Sequence, residues 1–165
     1  MEHFAPAERN AFLLISDEEL SLQCTLNFYK STGNGGQKRN KTSSAVRLIH
    51  RPTGLAVCDC SQRSQHQNRA VALEKLRRLI ARECRCRDNP ELPKWPPVGL
   101  HHKHYAFWCA GVLDLLAAKE WDLEAAAAEL NCSQSQLLKG IGRDAECMQL
   151  LNRERLAAGR SFLHC

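Results

Sequence analysis

Apolar residues at Leu22, Cys24, Leu26 and Phe28 alternate with Gln23, Thr25 and Asn27. That two-residue period predicts a strand with one buried face. Ala45–His50 predicts a second strand. Arg51-Pro-Thr-Gly54 has the proline and glycine placement of a turn, and Leu55–Cys60 reads as the returning strand. The period then lengthens. Ser64-Gln-His-Gln67 is a capping box. Behind it Leu73, Leu76, Leu79 and Ile80 fall on one side of a helix, with Arg69, Lys75, Arg77 and Arg82 facing elsewhere. An earlier capping box, Ser16-Asp-Glu-Glu19, opens a short helix. The first half thus reads as α+β, a small mixed sheet backed by one long helix.

The second half carries only the helical period. One helix is predicted over His102–Lys119, with Tyr105, Phe107, Trp108, Leu113, Leu115 and Leu116 as its core residues. A second begins after Asp122 and ends near Leu130. Asn131-Cys132 form a turn, and Ser133-Gln-Ser-Gln136 caps a third. A fourth runs from Asp144 to Ala158 and is stopped by Gly159. Between the halves, residues 88–99 hold four of the six prolines, which neither a helix nor a central strand accommodates. The expected organisation is an α+β domain over 1–88, a linker over 89–99 and a small all-α domain over 100–165. Trp95 in the linker suits either an interdomain pin or a stacking residue.

Composition adds limits. The chain has 165 residues, 44% hydrophobic and 25% charged, which excludes collagen-like and largely disordered classes. No apolar run approaches the ~18 residues of a membrane span. Acidic residues at Glu2, Glu8, Asp17, Glu18 and Glu19 argue against a secretory leader or a transit peptide. The expectation is a cytoplasmic, monomeric protein without a membrane partner. Nine cysteines, an odd number, then read as free thiols. Charge is unevenly shared. Residues 1–89 carry 15 Lys/Arg against 9 Asp/Glu, and residues 90–165 carry 8 against 9. Lys30–Arg51 holds six basic residues and no acid. Such a segment points to a phosphate-rich partner.

That basic stretch contains Ser31-Thr-Gly-Asn-Gly-Gly-Gln-Lys-Arg-Asn40, which no regular element tolerates. Adjacent glycines permit positive φ and close approach to a ligand. With Lys30, Lys38, Arg39 and Lys41 around them, the segment suits tip-first entry into a polyanionic site. The phosphate-cradling G-x-x-x-x-G-K-[ST] spacing is absent. Gly-Gly-Gln without context is most often an ordinary exposed loop.

Its context is more specific. The S-x-G-x-G-G-Q segment is followed in order by Asn40-Lys-Thr42, Ser44-Ala-Val-Arg-Leu48, His50-Arg-Pro-Thr-Gly54 and Arg63-Ser-Gln-His-Gln-Asn68. Over about residues 16–83 the chain resembles the catalytic domain of class I peptide chain release factors. It departs at Arg39, where that family often has valine. The resemblance implies a ribosome-dependent peptidyl-tRNA hydrolase that needs no cofactor or metal. Its partners would be large-subunit rRNA and the P-site peptidyl-tRNA. Gly35, Gly36 and Gln37 would be the catalytic residues: the Gln37 N–H stabilises developing negative charge, its side chain positions water, and the glycines supply the backbone path. In the family this glutamine is often N5-methylated. Lys30, Lys38, Arg39, Lys41, Arg47, Arg63 and Arg69 would contact RNA, mostly through phosphates. Gly33, Asn40, Ser44, Ser64 and Gln65 would shape the loop and the strand-to-helix turn. For Arg63 a role in that turn is an equal expectation.

Stop-codon-reading members carry a decoding domain and a long N-terminal helical domain. Neither fits within 165 residues, so the chain looks like the short, codon-independent relatives that rescue stalled ribosomes. A catalytically silent ribosome- or RNA-binding factor is the alternative. A DNA-binding regulator is a remote one, raised by the helix-turn-helix spacing of Ala127, Asn131 and Leu137, with Gln134, Gln136 and Lys139 as candidate contacts. The second half's net charge of −1 favours a packed helical hairpin, or a protein or rRNA docking module, instead. Cys58, Cys60, Cys84, Cys86, Cys109 and the histidines at 101, 102 and 104 lack the C-x(2–4)-C spacing of structural zinc.

Overall fold

Ser16 caps the first residue of a short helix in the way its sequence predicts. In the computed structural model, which describes residues 4–29, 44–86 and 98–164, its hydroxyl accepts from the Glu19 N–H and the Glu19 carboxylate accepts from the Ser16 N–H. The chain forms two compact units. One is Ile15–Ile80. The other joins the residues up to Leu14 to those from Ala81 onward.

In the first unit the short helix α2 (Asp17–Leu22) leads into β1 (Cys24–Tyr29), β2 (Ala45–His50) and β3 (Ala56–Asp59). The order is β1-β2-β3. The sheet expected to be mixed is antiparallel at both described pairings. Gly54, at φ +68, closes the β2–β3 turn, where Arg51 also donates to the carbonyls of Cys24 and Leu22. One sheet face is covered by α3 (Gln65–Glu83), whose residues through Ile80 belong to this unit. Val46 and Leu48 of β2 are buried, as is the helical stripe of Ala72, Leu73, Leu76 and Ile80. Burying these side chains is the main favourable term for a unit this small. Arg77 was expected to face away from the apolar side of the helix. It is buried, pairs with Asp17 and donates to the Ile15 carbonyl at 2.7 Å.

The second unit is built on α4 (Tyr105–Ala118), apolar on nearly every side and buried from Tyr105 to Leu116 except at Phe107. A helix with that composition has to sit at the centre. Around it lie α1 (Pro6–Leu14), α5 (Leu123–Glu129), α6 (Gln134–Ile141) and α7 (Ala145–Ala157). Helix α1 was not predicted by the sequence pattern. Its Phe12 and Leu13 are buried, and its fully buried Arg9 reaches Asp114 of α4 at 2.7 Å. The Tyr105 hydroxyl donates to the Gly140 carbonyl at 3.1 Å, tying α4 to α6. The Cys109 and Cys147 sulfurs meet at 2.8 Å between α4 and α7. The hydrogen bond between them, and then burial, raises the Cys147 pKa. Arg82, expected to face away from the packed side, is also buried and pairs with Asp144 and Glu146.

The α+β class is therefore the one found, with helices after the sheet as expected. The linker over 89–99 and Trp95 lie outside the described residues, apart from Val98 and Gly99. No helix among the described residues is long and apolar enough to cross a membrane.

Candidate functional site

The glycine-rich segment leaves the described fold at Tyr29 and rejoins it at Ser44. Tyr29 pairs with Ala45 across β1 and β2, so both attachment points lie at one end of the sheet. Lys30, Gly33, Gly35, Gly36, Gln37, Lys38, Arg39, Asn40 and Lys41 lie outside the described residues.

The rejoining point is pinned from below by Asn68, one turn into α3. Its amide donates to the Ser44 carbonyl at 2.7 Å and to the Gln62 carbonyl at 3.0 Å, and its carbonyl oxygen accepts from the Gln62 N–H at 2.7 Å. Asn68 is fully buried. A buried amide with its hydrogen-bonding groups satisfied in this way holds three backbone points at fixed separation. The sequence assigned the shaping role to Ser44, Ser64 and Gln65. In the structure the Ser44 and Ser64 carbonyls take part, the latter accepting from the Asn68 N–H at 3.0 Å, and Gln65 is the exposed first residue of α3. The signal for Asn68 was its place four residues before Ala72 and eight before Leu76, on the buried stripe, where a polar residue needs internal partners.

The basic residues divide. Arg47 is exposed at the centre of β2, on the face away from α3, between Asn27 and Cys58. Arg63 is exposed in the turn before α3. Arg69 is half-buried and donates to the Ser21 hydroxyl at 2.6 Å, so part of its donor capacity serves the fold. Asp59 lies on the α3 side, where Lys75 reaches it at 2.6 Å. Burial opposes its charge, but Lys75 and the Ser61 hydroxyl and N–H outweigh this and keep its carboxyl below the usual range.

His50 closes the other end of the sheet. It is fully buried, with Nδ1 2.8 Å from the Thr53 hydroxyl and Nε2 3.0 Å from Gln23 Oε1. Burial, and then the Arg51 charge, lowers its pKa to about 4. A neutral imidazole bridging turn and sheet is structural chemistry, at the end of β2 remote from Ala45. Among the described residues no three or more His, Cys, Asp or Glu side chains are gathered to hold a metal ion.

In the second unit α5 and α6 form a helix-turn-helix. Asn131 has φ +53, Ala127 and Leu137 are buried, and Gln134, Gln136 and Lys139 are exposed.

The RF-1 domain family matches residues 12–94, half of the chain. Peptide chain release factor 2 of Paramagnetospirillum magneticum is 51% identical over 67 residues, 40% of this chain and 18% of that protein. Peptide chain release factor 1 of Acetivibrio thermocellus is 45% identical over 64 residues, 39% of this chain and 18% of that protein. Peptide chain release factor 1 of Lactobacillus delbrueckii subsp. bulgaricus is 58% identical over 52 residues, 32% of this chain and 14% of that protein. The similarity thus spans less than a fifth of the length of these relatives.

Proposed function

Since the chain belongs to the class I peptide chain release factor family through its RF-1 domain, we propose that it is a ribosome-dependent peptidyl-tRNA hydrolase. It acts without reading a stop codon and frees stalled ribosomes. The observation that carries this reading is the intact Gly35-Gly36-Gln37 sequence inside the family match, between two strands whose facing ends are pinned together.

The reaction is hydrolysis of an activated ester. Water attacks the peptidyl carbonyl, the bond to the ribose oxygen breaks, and peptide acid and tRNA leave. Ribosomal RNA already orients the substrate. The protein contributes a water-sized opening and one donor toward the charge that develops on oxygen. The Gln37 N–H is that donor, and its side chain excludes larger nucleophiles. Neither step requires a carboxylate or an activated side-chain nucleophile. Lys30, Lys38, Arg39, Lys41, Arg47 and Arg63 compensate RNA phosphates, with Arg69 in a shared structural role. The protein works in the cytoplasm as a monomer, in the large-subunit active site, and its helical part serves recognition of the stalled state.

The test uses ribosomes halted at the end of an mRNA without a stop codon, carrying labelled peptidyl-tRNA. Wild type releases peptide there, and release is no faster when a stop codon fills the A site. Gly36→Ala, which restricts the backbone beside Gln37, lowers the release rate at least ~100-fold, the scale of losing one oxyanion donor, while ribosome binding stays within about threefold. Tight binding by wild type without release would instead establish the silent-factor alternative.

A further inference from the structure

The sheet face toward α3 buries Val46, Leu48 and Asp59, with Phe28 at its edge still exposed, and the other face is open. Successive strand residues point to opposite sides. Thr25, Asn27, Tyr29, Arg47, Ala56 and Cys58 therefore share the open face and are exposed, with the buried Ala45 and the half-buried Ile49 of β2 between them. The only acidic residue in the three strands, Asp59, points the other way and is held by Lys75. The open face thus carries one positive charge, from Arg47, and no negative one. Its aromatic residue, Tyr29, is 39% exposed. The Tyr29 hydroxyl hydrogen-bonds Cys58 and lies within reach of the Arg47 charge. Tyr29 is on edge strand β1 and Cys58 on edge strand β3. Bridging two strand spacings, about 10 Å, carries the Tyr29 side chain over β2.

We propose that this open sheet face is a stacking platform for unpaired RNA bases, with Tyr29 as the aromatic surface and Arg47 as the phosphate partner. An exposed aromatic residue on an antiparallel sheet, beside a guanidinium with no acid among the strand residues of that face, has the chemistry that accepts a splayed base and its backbone. A protein partner of ordinary composition would find a single cation and, besides Tyr29, only Ile49, Ala56 and Cys58 as apolar surface. The platform adjoins the strand end from which residues 30–43 depart, so it gives the RNA-directed reading above, on which it rests, a second contact that is independent of hydrolysis.

Full-length protein is titrated with a fluorescein-labelled uridine 12-mer and with an abasic 12-mer of the same sugar-phosphate backbone. Basic residues elsewhere bind both strands alike, so the difference between the two isolates base stacking. Wild type binds the base-bearing strand about 10-fold more tightly, within the range one stacked base supplies. Tyr29→Leu brings that ratio to near one, whereas Tyr29→Phe keeps it. Arg47→Gln weakens both strands together and reduces the salt slope by about one unit. No preference for bases in wild type, or a preference unchanged in Tyr29→Leu, overturns the platform. So does oligonucleotide binding that stays wild-type in Tyr29→Leu and Arg47→Gln while ribosome binding falls, since that result assigns the face to a ribosomal protein. Gly36→Ala keeps the base preference, so a failure of the hydrolase reading appears in its release assay and leaves the oligonucleotide result intact.

Discussion

A single buried side chain can set the acid limit of a fold, and His50 is placed to do so. Its pKa in the unfolded chain is near 6.5, whereas in the folded protein burial and Arg51 bring it to about 4. Between those values the unfolded state binds a proton that the folded state refuses. Stability is therefore undiminished by this group above pH 6.5 and declines as pH falls toward 4. The full shift corresponds to a loss of up to about 3 kcal/mol. Urea unfolding at pH 7.5, 6 and 5 measures the decline. His50→Gln, which cannot titrate, should show a shallower dependence across the same window. The loss of stability should be the same at low and high salt, because desolvation is its first cause. Asn68 shows the residue scale from the other direction. Its helical spacing put it on the buried stripe, but its partners, Ser44 and Gln62, are fixed only once strand and turn are in place. The burial was legible and the bonds were not.

Among elements, the helix ends make the clearest comparison. Helices α4, α5 and α7 finish alike: a backbone N–H bonds the carbonyl five residues back, at Trp121 to Leu116, Cys132 to Ala127 and Arg160 to Arg155. In each, the preceding residue has positive φ: Glu120 at 51°, Asn131 at 53° and Gly159 at 73°. This is the Schellman geometry, which favours glycine and tolerates asparagine at that residue. Gly159 and Asn131 could accordingly be read as helix stops from sequence. Glu120 could not, because a glutamate there is strained. What holds it is tertiary: Arg160 donates to the Glu120 carbonyl at 2.7 Å and Arg155 to the Trp121 carbonyl at 2.6 Å. Glu120→Gly should raise the stability by about 0.5–1 kcal/mol, and Gly159→Ala should lower it by about 1 kcal/mol. Beyond Gly159 and its two chain neighbours, no atom lies within 4 Å of the position a Cβ would take there, so that cost is backbone strain alone. Thermal melts of the two variants, moving in opposite directions, check the assignment. The sheet was legible for a related reason: its hairpin turn carries proline and glycine, and Ala45–His50 matches its predicted limits.

Across the whole chain, the part that sequence reasoning did not reach is the joining of the chain's beginning to its second half. Helix α1 has no capping box and a short apolar pattern, so its role depends on contacts more than a hundred residues away. The central one is Arg9 to Asp114, at 2.7 Å with both side chains buried. Asp114 also faces Arg85 at 3.4 Å and accepts from the Cys86 N–H at 3.1 Å. Arg85 lies over the Trp121 ring, 5.7 Å from its centre. Two guanidinium groups thus depend on one carboxylate in a desolvated setting, where removing the shared anion costs far more than removing either cation. Asp114→Ala leaves both charges without it and should destabilise by about 3–5 kcal/mol. Arg9→Met leaves Asp114 paired with Arg85 and the Cys86 amide, and forfeits mainly the Arg9 bonds to Asn10 and the Cys84 carbonyl, a cost of roughly 1–2 kcal/mol. The double variant should recover part of the Asp114→Ala loss, because one of the two stranded cations has gone. Denaturant unfolding of the three proteins reads the asymmetry directly. Equal losses for the two single variants, with simple additivity in the double, would show that α1 is held by its apolar residues Phe12 and Leu13 and that the ion network contributes nothing of its own.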